Sequence, residues 1–150
     1  MADIERIIFV ETHGNERAIM AKIMFDDGNT SDVRTEARGL TVLFPEPINQ
    51  KVEAVLISNG YRVPDFKSRQ LEEDDFSDNT LVLTMEEKQK QKIMERFPEA
   101  KNVQVLTDLT GDELEIMDPI GAPLQSYGLC FESLSIIIKK LLLLVCKGER

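Results

Sequence analysis

Several things that would mark a secreted, membrane-spanning or nucleic-acid-binding chain are scarce in this sequence. Cysteine is one: there are two, Cys130 and Cys146. They stand 16 positions apart in a stretch that reads as a single helix, well beyond the few ångströms a disulfide can bridge, so no oxidising compartment is implied. Long apolar runs are missing too. The most apolar segment, Leu134 to Val145, has 12 residues and is interrupted by Lys139-Lys140, against the roughly 20 that cross a bilayer. Positive charge is in deficit, with 18 Lys and Arg against 27 Asp and Glu and a net charge of −9. Such a surface repels phosphate backbones and anionic lipid, which argues against nucleic acid and membrane as partners. The opening residues Met1-Ala2-Asp3-Ile4-Glu5-Arg6 have no basic region and no small-residue cleavage site, so a cytoplasmic location is expected. Internal repeats, low-complexity tracts and an interdomain linker are also absent.

What remains is 150 residues, 42% hydrophobic and 30% charged, a composition suited to one globular domain over residues 1–150. Strand and helix signals alternate along it. Ile7-Ile8-Phe9-Val10 is a compact β-branched run. A turn over Glu11-Thr12-His13-Gly14-Asn15 follows, then a helical pattern through Arg17, Met20, Ala21, Ile23 and Met24. Val33 to Leu40 is a weaker strand, and Pro45 and Pro47 mark a loop. Val52, Val55 and Leu56 begin a helix that Asn59-Gly60 ends. Leu81-Val82-Leu83 is the next strand, and Thr84 with Glu87 predicts a capping box opening a helix that runs to Pro98. Val103 to Leu106 reads as a fourth strand. Pro123 stands at a first helical position ahead of one long amphipathic helix through Leu124, Tyr127, Phe131, Leu134, Ile138, Leu141 and Val145. The apolar run Leu141 to Leu144 is expected to bury against the sheet, with a dimer interface as its alternative. The acidic cluster Glu72-Glu73-Asp74-Asp75 reads as a solvated helix start.

Strands separated by helices predict an α/β three-layer sandwich, a four-stranded parallel sheet with helices on both faces. Such sheets place ligand sites at the carboxyl ends of strands beside helix N-termini, so the turn after the first strand is the first candidate.

Local strings sharpen this. Ser68-Arg69-Gln70-Leu71 before an acidic stretch, Leu83-Thr84-Met85, Phe97-Pro98-Glu99-Ala100 and Asp118-Pro119-Ile120-Gly121 ahead of a long final helix occur in that order. Together they resemble the low-molecular-weight protein tyrosine phosphatase family, which includes bacterial protein arginine phosphatases and has arsenate-reductase relatives. The resemblance runs nearly end to end. It implies that family's topology, a phosphate-cradling loop of cysteine, five residues and arginine after the first strand, and an Asp-Pro general acid. On this chain Arg17 takes the arginine position, Met20-Ala21 continue the pattern and Asp118-Pro119 supply the acid. Glu11 stands at the nucleophile position. Ala18 replaces the serine that would activate a thiolate, Ile19 replaces a proline, and Gly14-Asn15 fall one place late. Cys130 and Cys146 lie far along the chain from the loop. The segments Leu43-Phe44 and Ile120-Gly121-Ala122 look closer to the bacterial members.

The implied site is therefore Glu11, Arg17 and Asp118, with Thr12, His13, Gly14, Asn15 and Glu16 as the anion loop. A thiolate attacks phosphorus through a covalent intermediate, and a carboxylate is a poorer nucleophile for that step. Glu11, Glu16 and Asp118 outnumber Arg17, and two like charges about 5 Å apart at an effective dielectric near 20 repel by roughly 3 kcal/mol. Phosphate binding is expected to be weak or absent. Glu11 is expected to accept the loop N–H groups and a two-pronged Arg17 contact, standing in for the oxyanion. The chain then acts as a catalytically silent binding or regulatory module with a protein partner at the cleft, as monomer or homodimer, without cofactor or metal. Two alternatives stand beside this. One is an atypical phosphohydrolase with Glu11 as nucleophile or general base. The other is a metal site at His13 and Glu16.

Overall fold

The computed structural model of the protein describes residues 3–146, and its organisation starts from Ile7-Ile8-Phe9-Val10. All four side chains are fully buried, so β1 (Arg6–Glu11) is covered on both faces. Alternation sends Ile7 and Phe9 into the larger of two apolar clusters and Ile8 and Val10 into the smaller. β1 pairs in parallel with β2 (Arg34–Gly39) on one side and β3 (Thr80–Thr84) on the other, and β4 (Val103–Val105) extends the sheet to the order β2-β1-β3-β4. Parallel pairing needs crossovers, and helices provide them. α1 (Arg17–Gly28), α2 (Gln50–Ser58) and α5 (Leu124–Cys146) cover one face, where Phe25 packs on Phe9 at 6.1 Å. α3 (Glu87–Arg96) covers the other through Ile93, beside Phe76 and Phe97 at 5.2 Å. This is the three-layer α/β architecture that the alternating signals predict.

Local details differ from expectation. β4 stops at Val105, because Leu106 opens α4 (Leu106–Thr110), a one-turn helix with Gly111 at a left-handed φ of 79° behind it. Thr84 does not cap a helix. It pairs in the strand with Val10 and Val105, and its hydroxyl donates to the Glu86 carbonyl at 3.0 Å. The capping box is Glu86 with Gln89, whose Oε1 accepts from the Glu86 N–H at 3.0 Å. The acidic cluster is solvated at Glu72, Glu73 and Asp74 and opens only a single 3-10 turn, Glu73–Asp75. Asp75 is buried and pairs with Arg38 at 3.4 Å, since a carboxylate removed from water requires a cation. Leu141 to Leu144 is split by its helical period, with Leu141 buried and Leu143 71% exposed. No described helix is long and apolar enough to cross a membrane.

The turn between β1 and α1 lies against the end of β2. The Leu40 N–H donates to the Glu11 carbonyl at 3.0 Å and the Thr41 N–H to that of Thr12 at 2.9 Å. Glycine permits this approach, because a Cβ on Gly39 would sit 2.6 Å from the His13 carbonyl. Gly39→Ala is therefore expected to cost about 1–3 kcal/mol and lower the melting temperature by several degrees. Gly128→Ala is expected to act oppositely. A Cβ there meets nothing within 4 Å in mid-helix α5, and the gain is about 0.5–1 kcal/mol. Thermal unfolding followed by circular dichroism reads both signs.

Candidate functional site

The site begins with the last residue of β1. Continuing the alternation of Ile7 and Phe9, Glu11 points to the face that α1 covers, and it is only 2% exposed. α1 starts at Arg17 without a side-chain cap from its own N-terminal residue, Glu16. Glu11 supplies the missing acceptor: its Oε2 takes the Ala18 N–H at 2.7 Å and the Glu16 N–H at 3.0 Å. Negative charge there also faces the positive end of the helix dipole. Burial nevertheless pushes the Glu11 carboxyl up to about 7, against the downward pulls of Arg17 and of the two N–H groups.

Arg17 is almost completely enclosed, 1% exposed. Its Nη2 pairs with Glu86 at 2.7 Å and lies 3.6 Å from Asp118, while Nη1 donates to the Ile116 carbonyl at 2.9 Å. The expected two-pronged contact with Glu11 is not formed. Only Nε approaches Oε1, at 3.4 Å and without hydrogen-bond alignment, because both terminal nitrogens are turned to Glu86, Ile116 and Asp118. Burial disfavours the guanidinium charge, but the surrounding carboxylates outweigh that and hold its proton more tightly than usual. Burial likewise works against the Glu86 carboxylate, yet its contacts with Arg17 and with Lys88, 3.2 Å away, keep it below the ordinary range.

Glu16 forms a second buried acidic point. Its Oε2 accepts from the Asn49 amide at 3.0 Å and from the Tyr127 hydroxyl at 3.1 Å. Burial raises the Glu16 carboxyl in spite of the Tyr127 bond, and burial beside Glu16 pushes the Tyr127 phenol up to about 12. Beyond Glu16 opens a cleft of about 770 Å³, walled by Leu43, Phe44 and Ile120 and floored by Asn15, Asn49 and Tyr127. The first two walls are 82% and 72% exposed, so they present apolar surface to whatever enters.

Among the sequence-predicted residues, Glu11, Arg17, Asp118 and Glu16 lie in one charged group. Thr12, Gly14 and Asn15 frame it through backbone contacts with the loop after β2 and with Asn49. His13 lies exposed on the rim of the same cleft, near enough for its charge to act on Glu16, with Nδ1 3.3 Å from the Thr41 carbonyl. Among the described residues no three His, Cys, Asp or Glu side chains are placed to hold a metal ion. Cys130, distant along the chain, is near in space. Because α5 packs on α1, the fields of Arg17 and Glu11 reach its thiol, and burial pushes it up to about 12. It is therefore a protonated thiol at neutral pH. Glu86, Gln89, Asn49 and Tyr127 escape sequence reasoning. Glu86 alone carries a usable signal, since it follows the end of β3, where a parallel sheet gathers its ligand residues.

Known proteins share this frame. The chain is 28% identical over 138 residues to a protein-arginine-phosphatase of Geobacillus stearothermophilus, spanning 91% of this chain and 93% of that one. It is also 28% identical over 141 residues to the low molecular weight protein-tyrosine-phosphatase PtpB of Staphylococcus haemolyticus, covering 91% and 96% respectively. The structure of the YwlE arginine phosphatase from Geobacillus stearothermophilus superposes with a TM-score of 0.89 at 27% identity, covering 97% of this chain and 95% of that one. A model of the low molecular weight phosphotyrosine protein phosphatase family matches residues 6–149, and the chain belongs to that family.

Proposed function

We propose that this member of the family is catalytically silent in thiolate chemistry, that Glu11 fills its oxyanion cradle, and that it acts by binding a protein partner at the neighbouring cleft in the cytoplasm. One observation carries the proposal: the two backbone N–H groups at the start of α1 are already taken by the Glu11 carboxylate at 2.7 and 3.0 Å. A helix N-terminus is a ready anion site, and an acceptor oxygen that is part of the chain, ionised or not, competes at very high effective concentration with any free anion.

The chemistry points the same way. In the thiolate mechanism a sulfur–phosphorus bond forms as the ester bond breaks, and an acid protonates the departing oxygen. Residues 11–17 hold no thiol, and burial keeps Cys130 protonated. An incoming dianion would also join Glu11, Glu16, Glu86 and Asp118 around one guanidinium whose terminal nitrogens are engaged. The hydrolase activities in the names of the relatives belong to those proteins. A second reading, an atypical phosphohydrolase with Glu11 as general base and Asp118 as acid, draws on the Glu11 carboxyl at about 7, a value suited to proton transfer. It requires Glu11 to leave both N–H groups first.

A tungstate titration separates the two. The wild-type melting temperature is expected to stay fixed, whereas Glu11→Ala frees the N–H groups and gains an oxyanion-dependent rise. That rise would correspond to about 2.7 kcal/mol at a ligand concentration 100 times the dissociation constant. A wild-type shift would show the cradle to be open and overturn the proposal, and aryl-phosphate turnover that Glu11→Gln abolishes would establish the second reading.

The raised carboxyl sets a pH dependence. Folded Glu11 holds its proton up to about pH 7, and an unfolded glutamate releases it near 4.5. The stabilisation linked to that proton is complete below the lower value and lost as pH rises through the upper one. Glu11→Gln retains a neutral acceptor and should gain on the wild type between pH 4.5 and 8, by on the order of 3 kcal/mol. Urea unfolding at the two pH values measures the difference.

A further inference from the structure

α5 carries an outer apolar face that the fold leaves unused. Its inner face, from Tyr127 to Val145, is buried, but Leu129, Ile136 and Leu143 are 57%, 58% and 71% exposed. They recur every seven residues, which on a helix gives a stripe drifting only about 20° per repeat, roughly 21 Å long. The polar residues beside the stripe are Glu132, Ser133, Lys139 and Lys140, all exposed. Lys140 is already neutralised by Asp112 at 2.7 Å. Neither Glu132 nor Lys139 makes an ion pair among the described residues.

We propose that this stripe is the interface for a second copy of the chain, with the two α5 helices antiparallel about a two-fold axis at Ile136. The charge pattern argues for this occupant and this direction. With the axis at Ile136, Ile136 meets its counterpart, and Leu129 meets Leu143 of the second copy at both ends. At about 100° per residue, Glu132 and Lys139 lie on the same flank of the stripe, roughly 40° and 60° from Ile136. They stand four residues before the axis and three residues after it. Antiparallel pairing therefore sets each Glu132 beside Lys139 of the second copy, giving two ion pairs between groups that have no ion partner among the described residues. Parallel pairing would instead bring Lys139 towards Lys140 of the second copy, which Asp112 already pairs, and Glu132 towards Ser133, so neither Glu132 nor Lys139 would gain an ion partner. One surface satisfying itself under a two-fold is the usual design of a homodimer.

Sedimentation velocity of the full chain, from micromolar to near-millimolar concentration, tests the proposal. The expected result is a concentration-dependent dimer that Ile136→Glu abolishes while the melting curve of the monomer stays close to wild type. Reversing one charge, Glu132→Lys or Lys139→Glu, is expected to weaken dimerisation about fivefold at low salt. The double variant Glu132→Lys/Lys139→Glu is expected to restore it. A wild-type chain that remains monomeric throughout would overturn the proposal. So would a dimer that survives Ile136→Glu, or one in which the double reversal fails to rescue the single ones.

Discussion

A guanidinium sealed from water has to be surrounded by negative charge, and the loops at this end of the sheet are arranged around that requirement. Arg17 opens α1 yet reaches Glu86 behind β3, Ile116 in the segment behind α4, and Asp118 just beyond it. Each partner comes from a loop at the carboxyl edge of the sheet, so one cation ties those loops together. Removing any single carboxylate would leave the others to share a charge that cannot be hydrated. Groups that act this closely do not contribute additively.

The same edge shows how the donors at a helix start can be satisfied from within the chain. A loop that gathers N–H groups at a helix start leaves donors that must find an acceptor. Glu11 provides it from within the chain. Next to it, Glu16 is held by Asn49 and Tyr127, so the second acidic group is fixed by neutral donors rather than by another cation. The two carboxylates thus occupy different environments, one facing a guanidinium and one facing an amide and a phenol. Only the second borders the open cleft.

Much of the architecture was legible in the sequence because its causes are local. The run Ile7-Ile8-Phe9-Val10 can be buried on both sides only in the interior of a sheet, and the spacing of Leu134, Ile138 and Leu141 can face a core only as a helix. The errors fell where a longer-range demand overrode a local one. Thr84 has the chemistry of a helix cap, but the ladder with Val10 and Val105 keeps it in β3. Glu11, Arg17 and Asp118 were accessible through family resemblance. The partners that decide their state were not: Tyr127 reaches Glu16 across 111 positions, and no periodicity encodes such a meeting. Cys130 teaches the same point from the other side, remote in sequence and adjacent in the fold.

The contacts of Glu11 and Arg17 also differ in how far they reach along the chain. Glu11 meets the Ala18 N–H only seven residues away, whereas the Ile116 carbonyl lies 99 residues from Arg17. A loop of seven closes on the timescale of tens of nanoseconds, long before distant strands assemble. The corner at the start of α1 thus needs only a short closure, whereas the guanidinium beside it needs loops that the whole sheet brings together.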